Sequence, residues 1–221
     1  MDFIFMLTRN DMTVEDCLEV MDEIATVGVR HIGFKDVGVG RDTLEALARR
    51  IKGSGAVCYM EVVSTTPQDC LKSARIAAEI GIDRLLGGTE IDKTMEIIGS
   101  TNIQYYPFCG RPEGHPTRLG GSPQSVAADC RRFESLGCAG VDLLAYRAYE
   151  ADPLALVRAA REVLKGELIV AGSVDSPQRI RALADAGADA FTIGSAAFDG
   201  SFSKRKGSLR SQLKDILAAC K

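Results

Sequence analysis

Leu168-Ile169-Val170-Ala171-Gly172-Ser173, then Ser176-Pro177-Gln178, then Gly187-Ala188-Asp189 leading into Ala190-Phe191-Thr192-Ile193-Gly194-Ser195, is the stretch whose reading decides the fold. An apolar run is followed by an amphipathic segment with Ile180, Leu183, Ala184 and Gly187 on one face, and then by a second apolar run, which predicts strand, helix, strand. Both runs end in Gly-Ser. A glycine closing a parallel strand lets the backbone approach a ligand, and the amides beyond it can converge on an anion at a short helix start. Phosphate is the natural occupant. The competing reading is that the glycines only permit tight turns.

The same alternation runs upstream. Strands are expected over residues 4–8, 32–36, 57–63, 84–86, 103–108 and 141–146. Helices are expected between them, the first through Cys17, Val20, Met21, Ile24 and Val27 with Thr13-x-x-Asp16 as a capping box. Others follow through Leu44, Leu47, Ala48 and Ile51, over 71–80, over 95–98, over 126–136 and over 154–164, with a last one through Leu209, Leu213, Ile216 and Cys220. About eight strands and eight helices in 221 residues, with no composition shift to mark a boundary, predict a single-domain α/β fold spanning residues 1–221. Buried parallel strands in that number close into a TIM (β/α)8 barrel rather than an open sheet. An internal repeat supports it: Thr66-Pro67-Gln68, Gly81-Ile82-Asp83 and Gly88 lie against Ser176-Pro177-Gln178, Gly187-Ala188-Asp189 and Gly194, and Ser122-Pro123-Gln124 repeats the opening a third time. Part of that match is ordinary capping, a hydroxyl followed by proline at the first helical position. If the two halves are alike, Gly88 and Thr89 form a second anion site.

Reacting groups in such barrels stand at the C-terminal ends of strands. Ile32 and Phe34 should face the helices, which turns Lys35 into the barrel mouth. Glu61 shares parity with Val57 and Tyr59, and a carboxylate inside an apolar strand needs a partner or the mouth. Adjacent strands would bring Lys35 and Glu61 together, either as a catalytic pair or as an ion pair sealing the top; Asp36 has the opposite parity and reads as a turn residue. Tyr146 and Arg147, ending strand six, are candidate substrate contacts. The loop 109–121 is too long and too rich in Gly and Pro to be only a connector, so a lid is expected, with Arg111 and Arg118 to clamp an anionic substrate and His115 as a candidate proton carrier.

Val-Ala-Gly-Ser followed about twenty residues later by Ile-Gly-Ser-Ala resembles the last two strands of the ribulose-phosphate-binding barrels, among them the isomerase and cyclase of histidine biosynthesis, ribulose-phosphate epimerase and several decarboxylases and synthases. The resemblance implies phosphate-binding loops after strands seven and eight, with the phosphate on the backbone at Gly172, Ser173, Gly194 and Ser195. It implies no particular reaction. The aspartates that end strands one and five in the histidine enzymes have no counterpart in Met6-Leu7-Thr8 or Pro107-Phe108-Cys109. The metal-binding histidines of the epimerase and the Asp-x-Lys-x-x-Asp of the decarboxylases are also missing. A lysine ending strand two resembles that of a lysine-dependent synthase making a furan phosphate.

Composition sets the remaining bounds. A net charge of −3, with Lys204-Arg205-Lys206 the one basic run, argues against a nucleic-acid partner. No apolar stretch approaches the roughly 18 residues of a membrane span, so a cytoplasmic protein without a membrane partner is expected. Seven cysteines without Cys-x-x-Cys spacing read as reduced core residues, Cys109 standing apart because it borders the long loop. No metal and no cofactor is expected; a homo-oligomer stays open. The function expected is that of an enzyme on a phosphorylated, sugar-phosphate-like metabolite, a metal-independent isomerase or epimerase working by proton transfer. The alternatives are a Schiff-base lyase, aldolase or synthase using Lys35, and a non-catalytic barrel that binds a phosphorylated ligand.

Overall fold

Strands and helices alternate from one end of the chain to the other in the computed structural model, which describes every residue except Thr65, Lys206 and Lys221. The barrel strands are β1 Asp2–Met6, β2 His31–Lys35, β3 Val57–Val62, β4 Arg84–Gly87, β5 Gln104–Tyr106, β6 Gly140–Leu143, β7 Glu167–Val170 and β8 Ala190–Ile193. They lie parallel in the order β6-β7-β8-β1-β2-β3-β4-β5. The ring closes between β5 and β6, where the Asp142 N–H donates to the Pro107 carbonyl at 2.9 Å and the Cys109 N–H to the Asp142 carbonyl at 3.2 Å. This is the single-domain (β/α)8 barrel expected.

Around it run α1 Cys17–Ile24, α2 Arg41–Gly53, α3 Pro67–Ile80, α4 Ile91–Ile98, α5 Pro123–Ser135, α6 Pro153–Val163, α7 Pro177–Ala186, the single turn α8 Ser195–Phe198 and α9 Leu209–Ala219. Thr66, Ser122 and Ser176 each accept the N–H three residues on, at 3.2, 3.2 and 3.4 Å, ahead of a proline at the first helical position. The repeat seen in the sequence extends beyond the helix start: Gly81 and Gly187 both end their helices in the left-handed region, and Asp83 and Asp189 accept the Cys58 and Leu168 N–H groups at 2.8 Å.

Strand alternation divides the core in two. Phe5, Phe34, Met60, Leu85, Val141, Leu168 and Phe191 point outward and pack under the helices. Ile4, Met6, Tyr59, Leu86, Tyr106, Ile169 and Ala190 fill the barrel itself. Gly33 is inside because a Cβ there would stand 2.5 Å from Met6 Sδ. The N-terminal end is plugged by polar groups that satisfy one another: Arg84 reaches the Glu167 carboxylate at 2.8 Å and the Tyr59 hydroxyl at 2.9 Å, Tyr106 donates to Glu167 at 3.0 Å, and His31 bonds Tyr59 at 2.9 Å.

Several local expectations are corrected. Thr13 does not cap α1: it belongs to a small hairpin, Thr8–Arg9 with Met12–Thr13, and its hydroxyl bonds both the N–H and the carbonyl of Lys35 at 2.8 Å. Asp16 stands at the cap position without a side-chain bond. On α7 the exposed residue is Ala184, and Ala186 is buried in its place. The expected sixth strand stops at Leu143 and gives way to a 3₁₀ turn at Ala145–Arg147, while the loop 109–121 contains a hairpin, Arg111–Glu113 with Arg118–Gly120. Six cysteines are buried and Cys220 is half-buried, all as free thiols. Of the basic run, Lys204 and Arg205 are exposed and Lys206 lies outside the described residues. Among the described residues no helix is long and apolar enough to cross a membrane.

The β6–β7 contact gives a sharp test. A Cβ on Gly140 would meet the Glu167 carbonyl oxygen at 1.9 Å, whereas one on Gly53 at the end of α2 meets nothing. Gly140→Ala should cost about 1–3 kcal/mol through overpacking. Gly53→Ala should gain about 0.5–1 kcal/mol. Thermal melts of the two variants are expected to move in opposite directions.

Candidate active site

The C-terminal mouth of the barrel opens into a cavity of about 430 Å³. Lys35 and Glu61 are register partners on β2 and β3, and both side chains line it. Lys35 Nζ stands 3.3 Å from Glu61 Oε2 and 2.5 Å from Asp11 Oδ1. Arg147, on the 3₁₀ turn after β6, grips the same Asp11 carboxylate with both terminal nitrogens, at 3.0 and 2.9 Å. Lys35, Glu61 and Asp11 are 4, 2 and 5 % exposed, so these charges are screened by one another rather than by water.

Local chemistry explains how Asp11 arrives there. Asn10 and Asp11 form the two-residue connection of the small hairpin with φ of 51° and 65°. Consecutive left-handed residues match the twist of a tight hairpin, and Asn and Asp tolerate them best among residues with a side chain. The hairpin is fastened to β2 through Thr13 and folds its tip over the barrel. Asp11 Oδ2 also accepts the Thr117 N–H at 3.0 Å, and Arg147 donates to the Thr117 carbonyl at 3.1 Å. The lid loop thus rests on the same acid that joins the two cations.

The carboxyls of this site diverge. Burial works to raise Asp11, but hydrogen bonds from Arg147 and the charge of Lys35 outweigh it and hold the group well below the usual carboxylate range. Burial pushes Glu61 upward against the opposing charge of Lys35. A third acid, Asp142 on β6, is wholly buried, has no hydrogen-bond partner on either oxygen, and is pushed well up by burial and by the neighbouring charge of Glu61.

Across the cavity from Lys35 and Glu61 stand the two Gly-Ser ends. Gly172 and Ser173 take φ of 77° and 57° in succession. A Cβ at Gly172 would meet Arg147 Nε at 2.3 Å, and one at Gly194 would meet Thr8 Oγ1 at 2.4 Å, so close packing demands glycine at both and the backbone turn demands it at Gly172 as well. Ser195 opens α8, its hydroxyl accepting the Asn10 N–H at 3.4 Å. Arg179 from α7 stacks on the Tyr146 ring at 4.6 Å and donates to the Ser173 carbonyl, placing a further cation on this wall.

The remaining candidates are redistributed. Arg118 lies over the Tyr149 ring and borders a side opening of about 480 Å³ shared with Asp11, Tyr146, Arg147, Ser173 and Ser195. Arg111 is no clamp: it is held on the surface by Glu113, Glu150 and the Tyr149 hydroxyl. His115 is exposed and borders a separate groove with Met12 and Asp36, because the hairpin carries the loop tip outward. Gly88 and Thr89 border a separate cleft of about 90 Å³ with Phe108 and Glu113, apart from the barrel mouth, and the Gly88 N–H is spent on the Val62 carbonyl at 3.0 Å. Asp36 is a brace, accepting from Val63, Ser64 and Ser73. Asp11, Asp142 and Arg179 went unseen in the sequence. The signal that singled out Glu61, an acid inside an apolar run, was equally present in Val141-Asp142-Leu143. Nothing local marks Asp11.

Asp11→Asn removes the shared anion and leaves Lys35 and Arg147 facing each other, so a loss on the order of 3 kcal/mol is expected at neutral pH. Because the folded value lies below the unfolded one, the stability Asp11 supplies is complete above about 3.8 and is lost as pH falls below it. The melting-temperature gap between the variant and the parent should therefore narrow on acidification from pH 4 downward, which a series of melts would show.

No family model and no curated protein matches the chain. Solved structures do. The chain is similar to orotidine 5'-phosphate decarboxylase from Pyrococcus horikoshii, with a TM-score of 0.69 at 12 % identity over 99 % of this chain and 98 % of that one. It is similar to thiamine phosphate pyrophosphorylase from Pyrococcus furiosus, at 0.67 and 14 % over 99 % and 95 %. A 3-hexulose-6-phosphate synthase matches at 0.68 and 18 % over the full length of both chains. At these identities the likeness is one of fold, the (β/α)8 barrel, and it singles out no family.

Proposed function

We propose that this protein is an enzyme acting on a small phosphorylated metabolite, by proton transfer at a carbon next to a carbonyl. One observation carries the reading: the Glu61–Lys35 pair lines the same cavity whose opposite wall is made by Gly172-Ser173 and Gly194-Ser195. Backbone amides at Ser173, Gly194 and Ser195 receive the phosphate, and Arg179, paired with Asp175 at 2.9 Å, can turn toward it from the same wall. The names of the structural neighbours, each a phosphate compound's enzyme, support a phosphorylated substrate.

In the step proposed, the Glu61 carboxylate removes a proton from the carbon beside the carbonyl. The electron pair of that C–H bond moves to form the enediolate, whose oxygen charge is met by the Lys35 ammonium. Returning the proton from Glu61 to the former carbonyl carbon, while Lys35 gives a proton to the former carbonyl oxygen and takes one from the hydroxyl that becomes the new carbonyl, completes an isomerisation. Burial raises Glu61 above its ordinary range and so makes its carboxylate a stronger base toward the carbon-bound proton. The chemistry drawn here uses side chains alone. A Schiff-base reaction at Lys35 is the second reading, supported by Lys35 being, among the described residues, the one lysine lining the cavity. It requires Lys35 to leave Asp11 at 2.5 Å and Glu61 at 3.3 Å, so the observed pairing favours the cationic role.

A thermal-shift screen over phosphorylated metabolites should give ligands that raise the melting temperature of the protein. Ser173 has φ of 57°, a conformation Asp tolerates. Ser173→Asp is expected to fold normally and to lose the ligand-induced shift, because the new carboxylate repels phosphate; an undiminished shift would remove phosphate from this wall. Glu61→Gln should keep the shift while turnover of the hit drops by ~10²-fold or more. Borohydride trapping of a covalent adduct at Lys35 would replace proton transfer with the Schiff-base reading.

A further inference from the structure

Three carboxyls and two cations meet at the top of this barrel, and the count does not balance. Asp11 is shared by Lys35 and Arg147, and Glu61 pairs with Lys35. With both acids ionised the two positive charges are already met. Asp142 is the surplus. It is register partner to Ile169, whose side chain fills the barrel interior, so Asp142 points into the barrel as well. It is 0 % exposed, and among the described residues neither carboxyl oxygen has a hydrogen-bond partner.

We propose that Asp142 is a neutral carboxylic acid that holds the extra proton of the site, and that its neutrality is what leaves Glu61 ionised and able to act as the base. An anionic carboxylate in a dry interior needs a cation or several donors. Glu61 has Lys35 at 3.3 Å and Asp142 has nothing, so a proton shared between these two acids resides on Asp142. Two like acids in one enclosure cannot both ionise cheaply, and environment decides which does. The groups that act on Asp142 come from every side: Glu61 of β3 and Asp11 of the hairpin oppose its ionisation, and Lys35 of β2 and Arg147 of the 3₁₀ turn favour it. Cys109 is committed to the main-chain carbonyl of Asp142 and leaves the carboxyl alone. Asp142 is thus a positioning residue for the proposed proton transfer, acting through Glu61, and this role rests on that reading of the site. The location of the proton does not.

Carbon-13 labelling confined to aspartate carboxyls, with a parallel sample labelled at glutamate, separates the two claims. At pH 7 the aspartate sample is expected to contain one carboxyl with the shift of a neutral acid, and the glutamate sample none. Asp142→Asn should erase that signal and Glu61→Gln should leave it in place; if Asp142→Asn does not fold, the two labelled samples of the parent protein still decide. A neutral glutamate accompanied by fully ionised aspartates would overturn the assignment. Stability supplies a second readout. An acid raised above its unfolded value of 3.8 costs stability as pH rises from there toward the folded value, so the melting temperature of the parent should fall over that range more steeply than that of Asp142→Asn. With a substrate in hand, the alkaline limb of kcat/KM should share the midpoint of the aspartate signal and move up by about one pH unit or more in Asp142→Asn. A limb that stays put would end the link to Glu61. Absence of any turnover would count against the enzymatic reading while the labelled samples still report where the proton is.

Discussion

The Asp11 carboxylate, held between Lys35 and the guanidinium of Arg147, is the interaction on which the upper half of this barrel depends. An ammonium at 4 % exposure is tolerable only beside anions, and the fold delivers one from outside the barrel by curling a two-residue hairpin over its mouth. The same carboxylate carries the lid through the Thr117 N–H. Removing it would unbalance charge, hairpin and lid together.

The two ends of the barrel treat buried charge differently. At the N-terminal end Arg84, Glu167, Tyr59, Tyr106 and His31 satisfy one another in a closed set with matching donors and acceptors. Such a set stabilises specific packing and has nothing left to offer a ligand. At the C-terminal end the buried carboxyls Asp11, Glu61 and Asp142 outnumber the cations that act on them, Lys35 and Arg147, and among the described residues Asp142 has no hydrogen-bond partner. Unsatisfied polar groups are expensive inside proteins, so their concentration at one end, next to the cavity, is the physical mark that separates the working end from the plug.

The glycines show how one residue serves two purposes. Gly172 and Gly194 were legible as candidates for a phosphate grip, and the structure adds that each also lies where a side chain would collide with Arg147 or Thr8. Steric demand and ligand approach select the same residue. Sequence reasoning alone had no means of separating these causes, because neither Arg147 nor Thr8 is near either glycine in the chain.

What the sequence determined by itself was periodic. Apolar runs ending in Gly-Ser, hydroxyl-proline helix starts and eight repeats of the strand and helix pattern specify a parallel barrel. The two-residue alternation within a strand was enough to turn Lys35 and Glu61 inward and Ile32 and Phe34 outward. Asp142 was equally accessible to that rule. What the tertiary structure alone decided was which side chains share space across long separations: Asp11 with Arg147, 136 residues apart, and with Thr117, 106 residues apart. It also decided that His115 and Arg111, placed in the lid by the sequence, ride outward on a hairpin and leave the cavity to Arg147 and Arg179. The reason is that secondary structure follows from local spacing, whereas the charge balance of a buried site is a sum over groups that only the closed barrel brings within a few ångströms of one another.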